Sequence, residues 1–153
     1  MSVRTIVRAK GSEAVDAEDD STLLDVVQDV FELHAASKGC VDGQCGACRV
    51  LVNGQATNAC RVLWKDVPEG TEILTYEDVS EDPAVVAAVA AFEDERPTRC
   101  SLCIGGLGVT AYSLVGRDKT GDPDAVEETL KTATCMCTGR GSLRRALLVA
   151  LRR

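Results

Sequence analysis

The stretch GCVDGQCGACRVLVNGQATNAC, residues 39–60, contains four cysteines and four glycines. Its first three cysteines have the spacing C-x4-C-x2-C, and the fourth follows after eleven further residues. These cysteines are Cys40, Cys45, Cys48 and Cys60. This is the ligand spacing of a plant-type [2Fe–2S] cluster. The glycines fit that interpretation, because Gly39, Gly43 and Gly46 can adopt positive φ angles and leave no Cβ in the way. Backbone N–H groups can then approach the sulfurs.

Structural zinc and disulfides are two other uses of four cysteines. Zinc sites usually pair two C-x2-C units or add histidine, and the one histidine of the chain, His34, lies outside the loop. Disulfides would suit a secreted chain, but residues 1–10 lack the apolar core of a signal peptide. We therefore expect a reducing, cytoplasmic location and metal ligation. A non-redox, zinc-binding interaction module stays open as an alternative.

The other four of the eight cysteines form a second set, in the segments RCSLC and TCMC. Their spacing is C-x2-C, a gap of 31 residues, and C-x-C. They are Cys100, Cys103, Cys135 and Cys137. Two sets of four thiolates, with none left over, predict two [2Fe–2S] clusters, one in each half of the chain.

The composition limits both the size and the partners of the chain. With 153 residues and 3% aromatic residues, it predicts one domain or two small ones with cores of Val, Leu and Ala. The net charge is −7, and the acidic blocks 11–32 and 77–95 contain no Lys or Arg, which argues against a nucleic-acid partner. No apolar run reaches the length of a membrane span.

The N-terminal half alternates between strand and helix signals. We expect a hairpin around Gly11, a helix over 22–33 capped by Ser21, a hairpin over 49–57 turning at Asn53-Gly54, and a strand over 71–78. The core face of the helix is predicted at Leu23, Leu24, Val27, Val30 and Phe31. Strands around one helix, with a cysteine loop at the rim, predict a β-grasp, ferredoxin-like domain.

Strand signals stop near residue 78, and the second half predicts four helices. Asp82-Pro83 and Asp122-Pro123 are start signals for two of them. The helices are expected within 83–92, 104–116, 123–132 and 142–153, the last with an apolar stripe at Leu143, Ala146, Leu147, Ala150 and Leu151. The predicted fold class is α+β, with a β-grasp [2Fe–2S] domain over 1–78 and a four-helix [2Fe–2S] domain over 79–153. The second cysteine set precedes or opens two helices, whose N-termini favour an anionic cofactor.

Two further features have structural interpretations. Trp64 is predicted to anchor a core or an interface, since aromatic residues are scarce in this chain. The segment GGLG at 105–108 lacks the Lys and the preceding strand of a phosphate loop, so we expect it to serve close helix packing.

The segments GCVDGQCGACRVLVNG, CSLC and CMCTG, in this order and spacing, resemble the iron–sulfur small subunit of the xanthine oxidase family of molybdenum hydroxylases. The resemblance covers almost the whole chain. It implies a hetero-oligomeric oxidoreductase in which large subunits carry molybdopterin and FAD. In that family, electrons leave the molybdenum centre through two [2Fe–2S] clusters to flavin. The chain itself would then transfer electrons and have no substrate site.

The resemblance also assigns roles to the cysteines. The set at 100–137 would bind the cluster nearer molybdenum, and the set at 40–60 the cluster nearer flavin. Arg99 and Cys137 would contact the pterin. The sequence departs from the family pattern at three places: Arg99 stands for Gln, Ile104-Gly105-Gly106-Leu107 for Thr-Pro-Gly-Met, and Met136 for Arg. These departures keep a second hypothesis open, an iron–sulfur subunit of a flavin oxidoreductase that lacks molybdenum.

Overall fold

The computed structural model describes residues 1–40, 43–95, 102–116, 122–134 and 139–152. The predicted ligands Cys100, Cys135 and Cys137 lie outside these ranges, as does the predicted pterin contact Arg99. Cys103 and the whole first set of cysteines lie within them.

The chain begins with an antiparallel hairpin of β1 (Ser2–Arg8) and β2 (Gly11–Ala17). Arg8 pairs with Gly11, so Gly11 opens the second strand and the turn itself lies at residues 9–10. Ile6 and Val15 point into the core from the two strands. The predicted hairpin is confirmed.

The helix predicted over 22–33 is shorter than expected, and it changes from α-helical to π-helical geometry. It comprises α1 (Leu23–Asp25) followed by a π-helical turn (Val26–Val30). Its cap is Thr22 rather than Ser21, because Asp25 stands three residues after Thr22 and completes a capping box. Thr22 Oγ1 accepts from the Asp25 N–H at 3.1 Å, and Asp25 Oδ2 accepts from the Thr22 N–H at 2.9 Å.

The π turn also changes which residues face the core. Leu23, Leu24 and Val27 are buried as predicted, but Val30 is 46% exposed. Hydrogen bonds from i to i+5 place an extra residue in the turn, so a stripe drawn at α-helical spacing loses its register there. The helix ends at Val30 with Phe31 as its C-cap, and the next residue, Glu32, has a φ of 57°.

Replacing Glu32 by glycine should stabilise the protein. A left-handed backbone costs a residue with a Cβ about 1–2 kcal/mol, and glycine avoids most of that cost. We expect Glu32→Gly to raise the apparent Tm by roughly 2–4 °C at a fixed scan rate. Glu18, an exposed glutamate outside the left-handed region, provides the matched control: Glu18→Gly should leave the Tm unchanged or lower it. A lower Tm for Glu32→Gly would contradict this account of the helix end.

A second sheet contains three strands, and the first of them along the chain lies in the middle. β3 (Arg49–Val52) and β4 (Gln55–Asn58) form the predicted hairpin, and Asn53 and Gly54 both have positive φ, as a type I′ turn requires. β5 (Ile73–Leu74) pairs with β3. The strand predicted over 71–78 is therefore observed only at residues 73–74, and its extension beyond residue 74 is wrong. Thr75 and Asp78 form a capping box there that starts α2 (Tyr76–Val79).

Four helices follow, as predicted. They are α3 (Pro83–Glu95), α4 (Ile104–Gly116), α5 (Pro123–Leu130) and α6 (Gly139–Leu151). Asp82 Oδ1 accepts from the Ala84 N–H at 2.9 Å, and Asp122 Oδ1 accepts from the Asp124 N–H at 3.0 Å. The whole predicted stripe of α6 is buried. No helix in the described ranges is long and apolar enough to cross a membrane.

The strand half and the helical half pack directly on each other. Leu51 of β3 shares a buried cluster with Val79, Val85 and Val109, which come from α2, α3 and α4. On the far side of the first half, Trp64 is fully buried, and its Nε1 donates to the Ser2 carbonyl at 2.9 Å. Trp64 is thus the core anchor that the sequence predicted.

Candidate iron–sulfur centre

Backbone N–H groups of the loop donate to the sulfurs of its cysteines. The Cys45 N–H donates to Cys40 Sγ, the Ala47 N–H to Cys45 Sγ, and the Cys60 N–H to Cys48 Sγ, each at 3.4 Å. None of the cysteines in the described ranges forms a disulfide. Such N–H groups stabilise negative charge on sulfur, so the loop is prepared for thiolates.

The four thiols of the loop form two pairs. Cys40 Sγ neighbours Cys45 Sγ, and Cys48 Sγ neighbours Cys60 Sγ. In the described part of the chain, no three Cys, His, Asp or Glu side chains are grouped closely enough to hold one metal ion. A [2Fe–2S] cluster shares its four cysteines between two irons, whereas structural zinc takes all four ligands on one ion. The paired arrangement is the one in which each iron of such a cluster takes two cysteines.

Burial makes these thiols depend on a cation. Cys45 and Cys48 are buried, while Cys40 and Cys60 are half-buried. Desolvation raises the pKa of the Cys48 thiol to about 12 and also raises the pKa of Cys45. Thiolates form in such surroundings when a metal replaces the proton.

Glycines shape the loop in two different ways. Gly43 and Gly46 have φ angles of 75° and 73°, as predicted. Gly39 does not have a positive φ, so the predicted backbone angle is wrong for this residue, whereas the predicted need for a residue without a Cβ is confirmed. Gly39 is instead required for space, because a Cβ there would lie 3.0 Å from Cys45 Sγ and 3.1 Å from Leu102 Cδ2.

The start of α4 lies against the cysteine loop. A Cβ on Gly105 would lie 2.5 Å from the Ala35 carbonyl oxygen, and one on Gly106 would lie 2.1 Å from the Gly46 carbonyl oxygen. The close helix packing predicted for 105–108 is confirmed. Cys103 immediately precedes this helix, and it lines one small cavity together with Cys45. One cysteine of each set therefore borders the same cavity.

The segment that leads into the last two cysteines is also attached to the loop. The Thr134 N–H donates to the Cys45 carbonyl at 3.0 Å. A Cβ on Gly46 would lie 3.0 Å from Ala133 Cβ, so loop and segment are in contact.

Arg49 is a site residue that the sequence analysis missed. It directly follows Cys48, is 3% exposed, and lies between the strand half and helices α4 and α5. Burial lowers the pKa of its guanidinium to about 10, so it stays positively charged at neutral pH. The signal in the sequence was a charged residue opening the otherwise apolar strand RVLV.

Comparisons with known proteins agree with this geometry. Residues 6–75 match the family model of the 2Fe-2S iron-sulfur cluster binding domain. The chain is 32% identical over 144 residues to the nicotinate dehydrogenase small FeS subunit of Eubacterium barkeri, covering 93% of this chain and 90% of that protein. It is 33% identical over 137 residues to the nicotine 6-hydroxylase small subunit of Paenarthrobacter nicotinovorans, covering 90% of this chain and 81% of that protein.

A solved structure has the same fold. Quinoline 2-oxidoreductase from Pseudomonas putida 86 contains a chain that superimposes with a TM-score of 0.79. The match covers 98% of this chain and 93% of that chain, at 24% sequence identity.

Strands around a short helix, a cysteine loop at their rim and a following helical half define a ferredoxin-like iron–sulfur protein of the α+β class. The sequence relatives define it further. This chain belongs to the family of small iron–sulfur subunits of molybdenum hydroxylase-type oxidoreductases, the xanthine oxidase family. It is accordingly the iron–sulfur subunit of an oxidoreductase complex, as its sequence resemblance predicted.

Proposed function

We propose that this chain relays electrons between a molybdopterin-containing subunit and an FAD-containing subunit through two [2Fe–2S] clusters. The observation that carries the proposal is the cavity shared by Cys45 of the first set and Cys103 of the second. Two cofactors whose ligands line one cavity are suited to direct electron exchange. The chain's relatives are small subunits, which supports the presence of larger partner chains.

The proposed ligands follow the two sets of cysteines. Cys40 and Cys45 would hold one iron of the first cluster, and Cys48 and Cys60 the other, in keeping with their neighbouring thiols. The second cluster would take the remaining set: Cys100, Cys103, Cys135 and Cys137. The clusters supply one-electron redox chemistry when bound. The protein binds them, directs N–H groups at the sulfurs and excludes water from the buried thiolates.

The finer assignments belong to the same proposal. Arg99 and Cys137 would contact the pterin, with arginine donating to a pterin or phosphate acceptor where the family uses glutamine. The division at residues 78 and 79 would give each half one cluster. Because eight reduced cysteines need a reducing compartment, we propose a cytoplasmic location.

One departure from the family pattern has an explanation inside the chain. Ile104-Gly105-Gly106-Leu107 replaces the usual Thr-Pro-Gly-Met. Neither glycine leaves room for a Cβ, because Gly105 lies against the Ala35 carbonyl and Gly106 against the Gly46 carbonyl. This use of the glycines is independent of pterin. The departure therefore gives no separate support to a flavin oxidoreductase without molybdenum. The metal content of the complex decides between that alternative and the proposed molybdenum-dependent complex.

The test is metal analysis of the complex, purified anaerobically with its native partners. We expect about four iron and four acid-labile sulfides per copy of this chain, together with molybdenum and flavin on the co-purifying subunits. Two zinc and no sulfide would replace the proposal by the zinc-binding alternative. A full complement of iron and sulfide in a flavin complex without molybdenum or tungsten would support the flavin-only alternative.

A further inference from the structure

Every N–H donor of the Arg49 guanidinium has an acceptor. Nε donates to Asn58 Oδ1 at 2.9 Å, and Nη1 donates to Thr110 Oγ1 and Thr129 Oγ1, both at 2.8 Å. Nη2 donates to the Thr129 carbonyl at 2.7 Å and to Thr132 Oγ1 at 2.8 Å. A guanidinium has five N–H donors, so this site is fully satisfied.

All of these acceptors are neutral. They are one amide oxygen, one backbone carbonyl and three hydroxyls, and within the described ranges no carboxylate forms an ion pair with Arg49. Asp122, Asp124 and Glu128 line the same open cavity of about 480 Å³, but none of them is bonded to the guanidinium. Hydrogen bonds alone leave the desolvation of a buried positive charge largely uncompensated.

The negative charge that this arginine lacks is available from the cysteine loop. Arg49 follows Cys48 in sequence, and its backbone N–H donates to the Gly46 carbonyl at 3.2 Å. Its partner Asn58 donates from Nδ2 to the Gly43 carbonyl at 2.9 Å, so one side chain connects the guanidinium to the cysteine loop. Four thiolates around a two-iron cluster carry net negative charge, and the interaction crosses a water-poor interior where charges are weakly screened. The arginine and the loaded loop therefore complement each other.

We propose that Arg49 is a positioning residue that serves as the buried counter-charge of the N-terminal cluster and thereby raises its reduction potential. This inference rests on the proposed cluster at residues 40–60. Uptake of one electron makes the cluster more negative by one charge, and a fixed positive charge nearby favours that form. The same guanidinium donates hydrogen bonds to Thr129 and Thr132, which lie just before the last two cysteines. Arg49 therefore connects the strand half of the chain to its helical half.

The test compares two arginines that each follow a cysteine of the loop. Arg49 follows Cys48 and is buried, whereas Arg61 follows Cys60 and is exposed. In the purified complex, the potential of the N-terminal cluster is measured by redox titration followed by EPR. We expect Arg49→Gln to shift the equilibrium toward the oxidised form at least tenfold, a fall of about 59 mV for a one-electron couple. Arg61→Gln should shift it less than threefold and lose most of that effect in high salt.

Two further variants separate charge from packing. Thr132→Val removes one acceptor and keeps the charge, so it should lower the apparent Tm while shifting the redox equilibrium less than threefold. Arg49→Lys also keeps the charge, and its three donors cannot serve all five acceptors. Arg49→Lys should therefore lower the Tm but leave the reduction potential of the N-terminal cluster close to that of the parent protein. If Arg49→Gln does not fold, Arg49→Lys decides: a near-native potential supports the inference, and a tenfold shift overturns it.

The outcomes distinguish this inference from the proposed function. An intact iron and sulfide content with equal potentials in Arg49→Gln and the parent protein would overturn the role of Arg49 and leave the relay standing. A tenfold shift in Thr132→Val would likewise assign the effect to loop geometry rather than to charge. A parent protein without iron would overturn the proposed function itself.

Discussion

Gly106→Ala will destabilise the protein by about 3 kcal/mol, because the new Cβ would lie 2.1 Å from the Gly46 carbonyl oxygen. Both partners are backbone, so no side chain can rotate away, and α4 must move off the cysteine loop. We expect the apparent Tm to fall by roughly 5–10 °C. We also expect iron to be lost from the N-terminal site, since Gly46 lies between Cys45 and Cys48.

Gly116 provides the matched control for this prediction. It is the last residue of α4, and a Cβ there would meet nothing within 4 Å. Gly116→Ala should leave the stability unchanged or raise it by up to about 1 kcal/mol, through helix propensity alone. Equal effects of the two substitutions would show that α4 does not depend on close contact with the loop.

Cys45→Ser will remove the N-terminal cluster and about half of the iron, whereas Cys103→Ser will remove the other half. Serine is a poor ligand for this cluster, and each proposed ligand set belongs to one half of the chain. The measurement is iron content together with EPR of the reduced protein, in which each variant should lose a different signal. The two variants are controls for each other.

The proposed N-terminal and C-terminal clusters share a cavity, so selective loss of one cluster is a strict test of the ligand assignment. Cys45 and Cys103 line the same cavity, so a disturbance at one site could reach the other. If either single variant stays folded and loses both signals, the partition of ligands into two sets is wrong. Retention of both signals in Cys45→Ser would exclude Cys45 as a ligand.

Local patterns predicted most of the fold. The hairpin at Asn53-Gly54, the helix starts at Asp82 and Asp122, and the buried stripe of α6 each depend on a few neighbouring residues. The errors arose where two local signals compete. Ser21 and Thr22 are both suitable caps, and Asp25 decides between them through the capping box.

The candidate site also has features that local sequence predicted and features that it could not predict. Cysteine spacing predicted the loop, and Gly43 and Gly46 took the expected backbone conformation. The role of Arg49 could not be predicted in this way, because three of its five acceptors are side chains or carbonyls of Thr129 and Thr132, which are distant in sequence. A buried charge next to a cysteine ligand could have drawn attention to the position, although it could not have identified the partners.

The hydrogen bond from the Thr134 N–H to the Cys45 carbonyl has a consequence for the order of biosynthesis. All four cysteines of the first loop emerge from the ribosome long before Thr134 does. Because Thr134 and α4 both contact the loop, we expect it to reach its final shape only after these segments have been synthesised and have docked. Cofactor insertion at the first site is therefore expected to follow synthesis of the segment up to Thr134, and a chain truncated before residue 134 should take up less iron at the first site.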